Sequence, residues 1–249
     1  MKNKKISTVV YPLISVVFWI AVWQIISCSV SMEFVFPRFD KTAVEFFTLL
    51  TEKGFWATIF SSLLRISLGF ILGALLGILL APLTTYVPLA GAIISPLMTV
   101  IKSTPVASFI LVLWCLIGKA SVPTVISILM VMPIVWQNLT DGYRSISTSL
   151  SEVCDIFEVS RMKKFKLLIF PTLIKYLLPA LVTSSALAWK SGVAAEIIVY
   201  AKNSIGKEIT DAKNLFESER MFAWTIAVVL LSILIEFSIK RLARRVKKI

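Results

Sequence analysis

SLSEVCDIFEVSRMKKFKLLIFP, Ser149 to Pro171, is the stretch of this chain that does not read as membrane, and the apolar runs on either side are arranged to present it. Ser149 with Glu152 three residues on has the pattern of a capping box, in which each side chain satisfies a free backbone amide at a helix start. At about 100° per residue, the helix that follows places Val153, Cys154, Ile156 and Phe157 on one face and Glu152, Asp155 and Glu158 on the other. Arg161, Lys163, Lys164 and Lys166 come next, and Pro171 stands at the mouth of an apolar run. On these features alone the segment is either an interfacial helix between two spans or a helix held out for a partner.

The composition says what surrounds it. At 57% hydrophobic and 16% charged over 249 residues, the chain is too apolar for a soluble domain. The excess of 26 Lys+Arg over 14 Asp+Glu lies at the termini and in loops beside apolar runs, where membrane orientation accounts for it and nucleic-acid binding does not. With no His, and with Cys28, Cys115 and Cys154 at no paired spacing, a zinc site and His-based catalysis are excluded. No G-x-x-x-x-G-K-[ST] occurs, so the chain has no P-loop to cradle nucleotide phosphates.

Working outward in both directions, the apolar runs predict an all-α polytopic membrane bundle of six transmembrane helices forming a single domain. Residues 9–28 form the first span, read as retained because no small-residue cleavage pattern follows it. Residues 29–60 are mixed and are placed at the outer surface, with a short amphipathic piece at 43–50. The second span, 65–82, carries Gly69, Gly73, Gly77 and Ala81 at every fourth position, a stripe that lets another helix backbone approach closely. Residues 89–118 are apolar but broken at Lys102-Ser103-Thr104-Pro105, where the loss of a backbone donor is tolerable only under cover of protein or water. Residues 122–139 and 176–200 follow as spans on either side of the 140–171 loop, and 222–239 is the last.

Counting cations settles how many times the broken run crosses. With six crossings, the N-terminal Lys2, Lys4 and Lys5, the loop from Thr140 to Lys175 and the tail from Lys240 are all cytoplasmic, collecting 15 of the 26 Lys and Arg. A hairpin at 89–118 would turn the 140–171 loop outward, so one interrupted crossing is expected, with both chain termini inside.

Glu152-Val153-Cys154, Lys163-Lys164-Phe165 and Phe170-Pro171 resemble the EAA loop of bacterial ABC-importer permeases. The pattern departs at Val153 and Cys154, which replace two alanines, and at Glu158, which replaces the Gly of a sharp turn and leaves that turn open. The resemblance extends along the chain to the nitrate/sulfonate/taurine-type group through Phe36-Pro37, Leu64-Arg65, Lys102 to Pro105 with Leu113-Trp114, Ala194-Ala195-Glu196, Ile205-Gly206 and Asp211 to Asn214. It implies a type I importer permease in the bacterial cytoplasmic membrane, moving a small solute by alternating access. It also implies two permease subunits as a homodimer, an extracytoplasmic solute-binding protein, and an ATPase subunit that binds the ATP, with no cofactor in this chain. Glu152, Val153, Asp155, Ile156, Phe157, Glu158 and Arg161 then form the ATPase-coupling helix.

Ser103, Thr104, Pro105, Lys190 and Glu196 are the candidates for the translocation pathway, since polar and ionisable residues within spans mark routes or partners. Lys190 and Glu196 are six apart, about 240° around a helix, so each needs a partner other than the other. Glu196, near the outer end, either snorkels or finds such a partner. A secondary transporter or channel without an ATPase would show ionisable residues along several spans or paired broken helices, and a membrane enzyme would show converging acid/base or metal groups.

Overall fold

In hydrocarbon a backbone can satisfy its N–H and C=O groups only within its own helix or a closed barrel, and the long uninterrupted apolar runs of this chain form helices. A computed structural model describes residues 2–29 and 35–246, with the side chains of residues 2–9, 12 and 13 aside, so the tail cations Lys247 and Lys248 and the side chains of Lys2, Lys4 and Lys5 lie outside the described residues. The helices are α1 (Lys2–Ser29), α2 (Phe39–Thr51), α3 (Phe55–Tyr86), α4 (Pro88–Ser103), α5 (Val106–Ile117), α6 (Val122–Arg144), α7 (Thr148–Ile156), α8 (Arg161–Lys164), α9 (Phe170–Val199), α10 (Ile205–Asn214) and α11 (Ser218–Val246). A π-helical turn, Phe165–Ile169, joins α8 to α9.

Four of these segments are long and apolar enough to cross a bilayer: Phe55–Tyr86, Val122–Arg144, Arg161–Val199 and Ser218–Val246. The pair α4 and α5 passes the same test jointly but is bent by 107°. In α1 the apolar stretch is Ile14–Ser29, and the whole 28-residue helix is about 42 Å long at 1.5 Å per residue.

The centre of the bundle is α6, whose Val122, Ile126, Val131 and Val135 are fully buried. Against it α3 runs parallel. A Cβ on Gly69 would lie 2.4 Å from the Thr124 carbonyl oxygen, one on Gly73 2.9 Å from that of Ile128, and one on Gly77 2.8 Å from that of Met132. The two backbones therefore advance together in steps of four, which is the close approach a small-residue stripe permits. On the other side of α6, α9 runs antiparallel: Gly142 meets Leu173 and Tyr176, and the Ser127 hydroxyl lies 3.5 Å from the Ala188 carbonyl. α11 then returns against α9, with the Trp189 indole donating to the Val228 carbonyl at 3.0 Å.

These pairings sort the loops into two ends. At one end are the α3–α4 junction, the whole 145–169 segment and the C-terminal turns of α11, with Tyr86 and Tyr143 edge to face at 5.6 Å. At the other end lie α2, the α5–α6 turn and α10. There Trp23 near the end of α1 packs with Phe36, Phe39 and Phe222, which sends the start of α1 to the first end.

Boundaries move for identifiable reasons. Residues 55–60, expected at the surface, are the first turns of α3, because Phe55 stacks on Trp224 at 4.9 Å and Ile59 is buried. α6 continues past 139 to Arg144, carried by Leu139 and Thr140, both buried. Helix α7 starts two residues before the expected capping box: Ser147, not Ser149, is the N-cap, its hydroxyl accepting the Leu150 amide at 3.3 Å. Glu152 is then too far into the helix to reach back to the cap.

Candidate functional site

The 145–169 segment is built around a helix whose apolar side is turned away from the bundle. Ile156 is 76% and Phe157 77% exposed, and Leu150 and Val153 are exposed beside them. Glu152 faces the other way, lining a cavity of about 440 Å³ between α7 and the bundle with Tyr86, Tyr143 and Lys164. Asp155 receives the Lys164 ammonium at 2.7 Å, tying α7 to α8, and Arg161 opens α8 with its side chain exposed.

The turn between α7 and α8 explains what a Gly would do there. The Val159 amide donates to the Cys154 carbonyl at 2.8 Å and the Glu158 amide to the Asp155 carbonyl at 3.1 Å. This is the paired bonding of a Schellman cap, which needs a left-handed residue just past the helix. Glu158 supplies it with φ of 50°, so the sharp turn is made without Gly, at a steric cost of about 1–2 kcal/mol.

At the break in the broken span, α4 ends at Ser103, Thr104 is extended, and Pro105 begins α5. The Thr104 amide and hydroxyl both donate to the Val100 carbonyl, at 3.0 and 2.8 Å. No backbone N–H among the described residues reaches the carbonyls of residues 101–104, as the end of a helix before Pro requires. Ser103 and Pro105 are exposed, Thr104 between them is half-buried and Ile101 is buried, so the chain covers the break only in part. Lys102 beside it reaches Gln137 of α6 at 3.4 Å.

Lys190 and Glu196 part company. Lys190 is exposed on α9 and has Glu236 of α11 as a counter-charge within electrostatic reach. Glu196 does not snorkel: it is 0% exposed. Its carboxylate accepts from the Ser62 hydroxyl at 2.9 Å, from Arg65 at 3.3 Å and from the Gly206 amide at 3.4 Å. Ser62 in turn accepts the Ile205 amide at 3.0 Å, and Arg65 also donates to the Lys202 carbonyl. The cluster ties α3, the end of α9 and the first turn of α10 into one unit, and with every oxygen committed and no surface free, Glu196 is removed from the set of residues open to a passing solute. Arg65 and Ser62 were not singled out from the sequence as its partners; a cation at the start of an apolar run was the available signal.

Elsewhere at that end, Arg220 of α11 binds Glu52 at 2.6 Å and Glu45 at 3.3 Å, tying α11 to α2. Hydrogen bonding by Arg220 holds the Glu52 carboxyl below its ordinary range. Among the described residues no group of three or more Cys, Asp or Glu is placed to hold a metal ion.

Known proteins share this arrangement. The putative aliphatic sulfonates transport permease protein of Bacillus subtilis is 24% identical over 92% of this chain and 83% of its own length. A probable ABC transporter permease protein of Haemophilus influenzae is 26% identical over 94% and 95%. The bicarbonate transport system permease protein of Synechococcus elongatus is 26% identical over 84% and 79%. In fold, the chain is similar to the inward-facing MetNI methionine ABC transporter (TM-score 0.58, 17% identity, 77% of this chain and 93% of that one). It is likewise similar to an amino acid ABC transporter crystallised with histidines (TM-score 0.57, 15% identity, 75% and 89%). Residues 73–248 match the family of binding-protein-dependent transport system inner membrane components, and the chain belongs to that family as an ABC importer permease subunit.

Proposed function

We propose that this subunit works as one of two identical permeases, with an ATPase docked at the end that carries α7 and a solute-binding protein at the end that carries α2 and α10. The observation that carries the reading is the outward apolar tip of α7. Ile156 and Phe157, 76% and 77% exposed, form a knob on a short helix whose Glu152 lines the cavity toward the bundle and whose Asp155 is paired with Lys164. An exposed aromatic anchor of this kind fits a groove on a partner subunit, and the tight 157–160 turn joins α7 to the continuous helix of α8, the π-turn and α9, so a push on α7 is delivered to a spanning helix. ATP is bound by the partner, and the chain termini and the α7 end face the cytoplasm, in line with the cation count. The break at Ser103, Thr104 and Pro105, covered only in part within the chain, faces the second subunit or the route between the two, and Lys190 lies toward that route. Aliphatic sulfonates, nitrate and bicarbonate, named for relatives, are the first cargo to assay.

The test is co-purification of the cognate ATPase with Phe157→Ala. Truncating a buried aromatic anchor weakens association by about 2–4 kcal/mol, so retention of the ATPase should fall at least thirtyfold at limiting concentration while membrane insertion is unchanged. Wild-type retention by both Phe157→Ala and Ile156→Ala would refute docking through α7.

A further inference from the structure

Between α9 and α11, at the end that carries α7, a groove of about 410 Å³ has cations at its mouth and an apolar wall running inward. Lys175 of α9 and Lys240 and Arg244 of α11 stand at the mouth, and Leu178, Pro179 and Val182 continue the wall along α9. From Lys175 to Val182 the wall extends about 10 Å along the helix axis. Lys240 is paired with Glu236, but Lys175 and Arg244 have no ion pair or hydrogen bond among the described residues. Leu234 and Phe237, in the turns of α11 before Lys240, are 60% and 59% exposed, so this stretch of α11 carries open apolar surface.

We propose that this groove is a binding site for an anionic phospholipid, with the phosphate between Lys175 and Arg244 and an acyl chain along Leu178, Pro179 and Val182. Both helices are membrane spans, so the cationic mouth lies at headgroup level and the apolar wall at acyl depth, the order of a phospholipid read from head to tail. A soluble partner at the end of the bundle could meet the two unpaired cations, but the wall lies below the interface, out of its reach. Two cations without partners lining one groove favour a phosphate with net negative charge over a zwitterionic headgroup. The lipid would bridge the first turns of α9, which continue from the α7 segment, to α11.

The full-length chain in neutral detergent is titrated with phosphatidylglycerol and with phosphatidylcholine, and bound lipid is read by native mass spectrometry, with thermal melts showing that each variant is folded. Phosphatidylglycerol should be retained at least tenfold more tightly. Lys175→Gln with Arg244→Gln should weaken it about thirtyfold, at roughly 1 kcal/mol per cation near a charged headgroup. Arg241→Gln with Arg245→Gln removes the same number of charges, both from α11 at the same end but outside the groove, and should change retention less than threefold. Val182→Trp, which fills the wall and touches no charge, should also weaken retention. Equal retention of the two lipids, equal losses in the two double variants, or an unaffected Val182→Trp would overturn the proposal. So would unchanged lipid retention with loss of the ATPase in the Lys175/Arg244 variant, which would give the groove to a protein partner. Should Val182→Trp fail to fold, the comparison of the two double variants decides.

Discussion

Replacing Glu196 tests whether its carboxylate is a structural centre at the α10 end. In Glu196→Ala the Ser62 hydroxyl, the Arg65 guanidinium and the Gly206 amide all lose an acceptor. The Gly206 amide is buried, and leaving such a group unsatisfied costs about 1–3 kcal/mol. Removing one partner of a buried ion pair costs about 3–5 kcal/mol, but Arg65 is 20% exposed and keeps the Lys202 carbonyl, so its share is discounted toward 1 kcal/mol. A total of about 3 kcal/mol follows for Ala. Glu196→Gln keeps one accepting oxygen and should lose about 1–2 kcal/mol. Thermal unfolding in detergent gives the totals, and amide exchange at Ile205 and Gly206 gives the local effect, which should be a loss of protection of about a hundredfold in the Ala variant. A cycle with Arg65→Met should show a coupling of about 1 kcal/mol. If Glu196→Ala unfolds within about 0.5 kcal/mol of wild type and the Ile205 and Gly206 amides stay protected, the carboxylate does not hold α10 and the reasoning fails.

Three further outcomes follow from other contacts. Gly69→Ala puts a Cβ 2.4 Å from the Thr124 carbonyl oxygen, a backbone atom that can move only with α6, and should destabilise by about 2 kcal/mol or more in detergent melts; unchanged stability would mean α3 and α6 do not approach this closely. Glu158→Gly relieves the left-handed strain at the end of α7 and should raise protection of the Val159 amide about fivefold, for roughly 1 kcal/mol. The Glu52 carboxyl is held below its ordinary 4.5 by Arg220, so the bond between α2 and α11 is complete above that pH and is lost as pH falls through the lowered value. Amide exchange in α2, corrected for its intrinsic rate, should rise in that window in wild type and show no such step in Glu52→Gln.

What could be read from the sequence was whatever the membrane imposes on each segment separately. Apolar length marks helices, a four-residue Gly step marks a close approach, and cation counts mark which loops share a side. The Gly69, Gly73 and Gly77 stripe named its kind of neighbour but not α6 in particular, because any helix backbone can fill such a groove. The Ser149 and Glu152 pair misled because Ser147, without a box partner at Leu150, is an N-cap residue type too, and only the extended backbone at Ser147 chooses between them. The Glu196 partnership with Ser62 and Arg65 spans more than a hundred residues and leaves no local pattern. Residues 55–60 looked like surface because Phe55, which starts the helix there, packs on Trp224, far away in the sequence.

The parallel course of α3 and α6 has a further consequence for the break at Lys102 to Pro105. Two parallel spans joined in sequence require the chain to come back across the bilayer between them, so α4 and α5 together make one net crossing despite their 107° bend. α4 begins beside Thr84, near the α7 end, and α5 ends at Gly118, where Lys119 lies 6.0 Å from the Tyr200 ring at the opposite end. The bend therefore falls between the two ends of the bundle, with the carbonyls of residues 101–104 lacking backbone donors and Ser103 and Pro105 exposed. Each such group left to acyl chains costs several kcal/mol, more than the folded chain has to spare. The break therefore calls for hydrogen-bond donors from outside the chain's own backbone, and on the proposed function the second subunit, or water in the route, brings them.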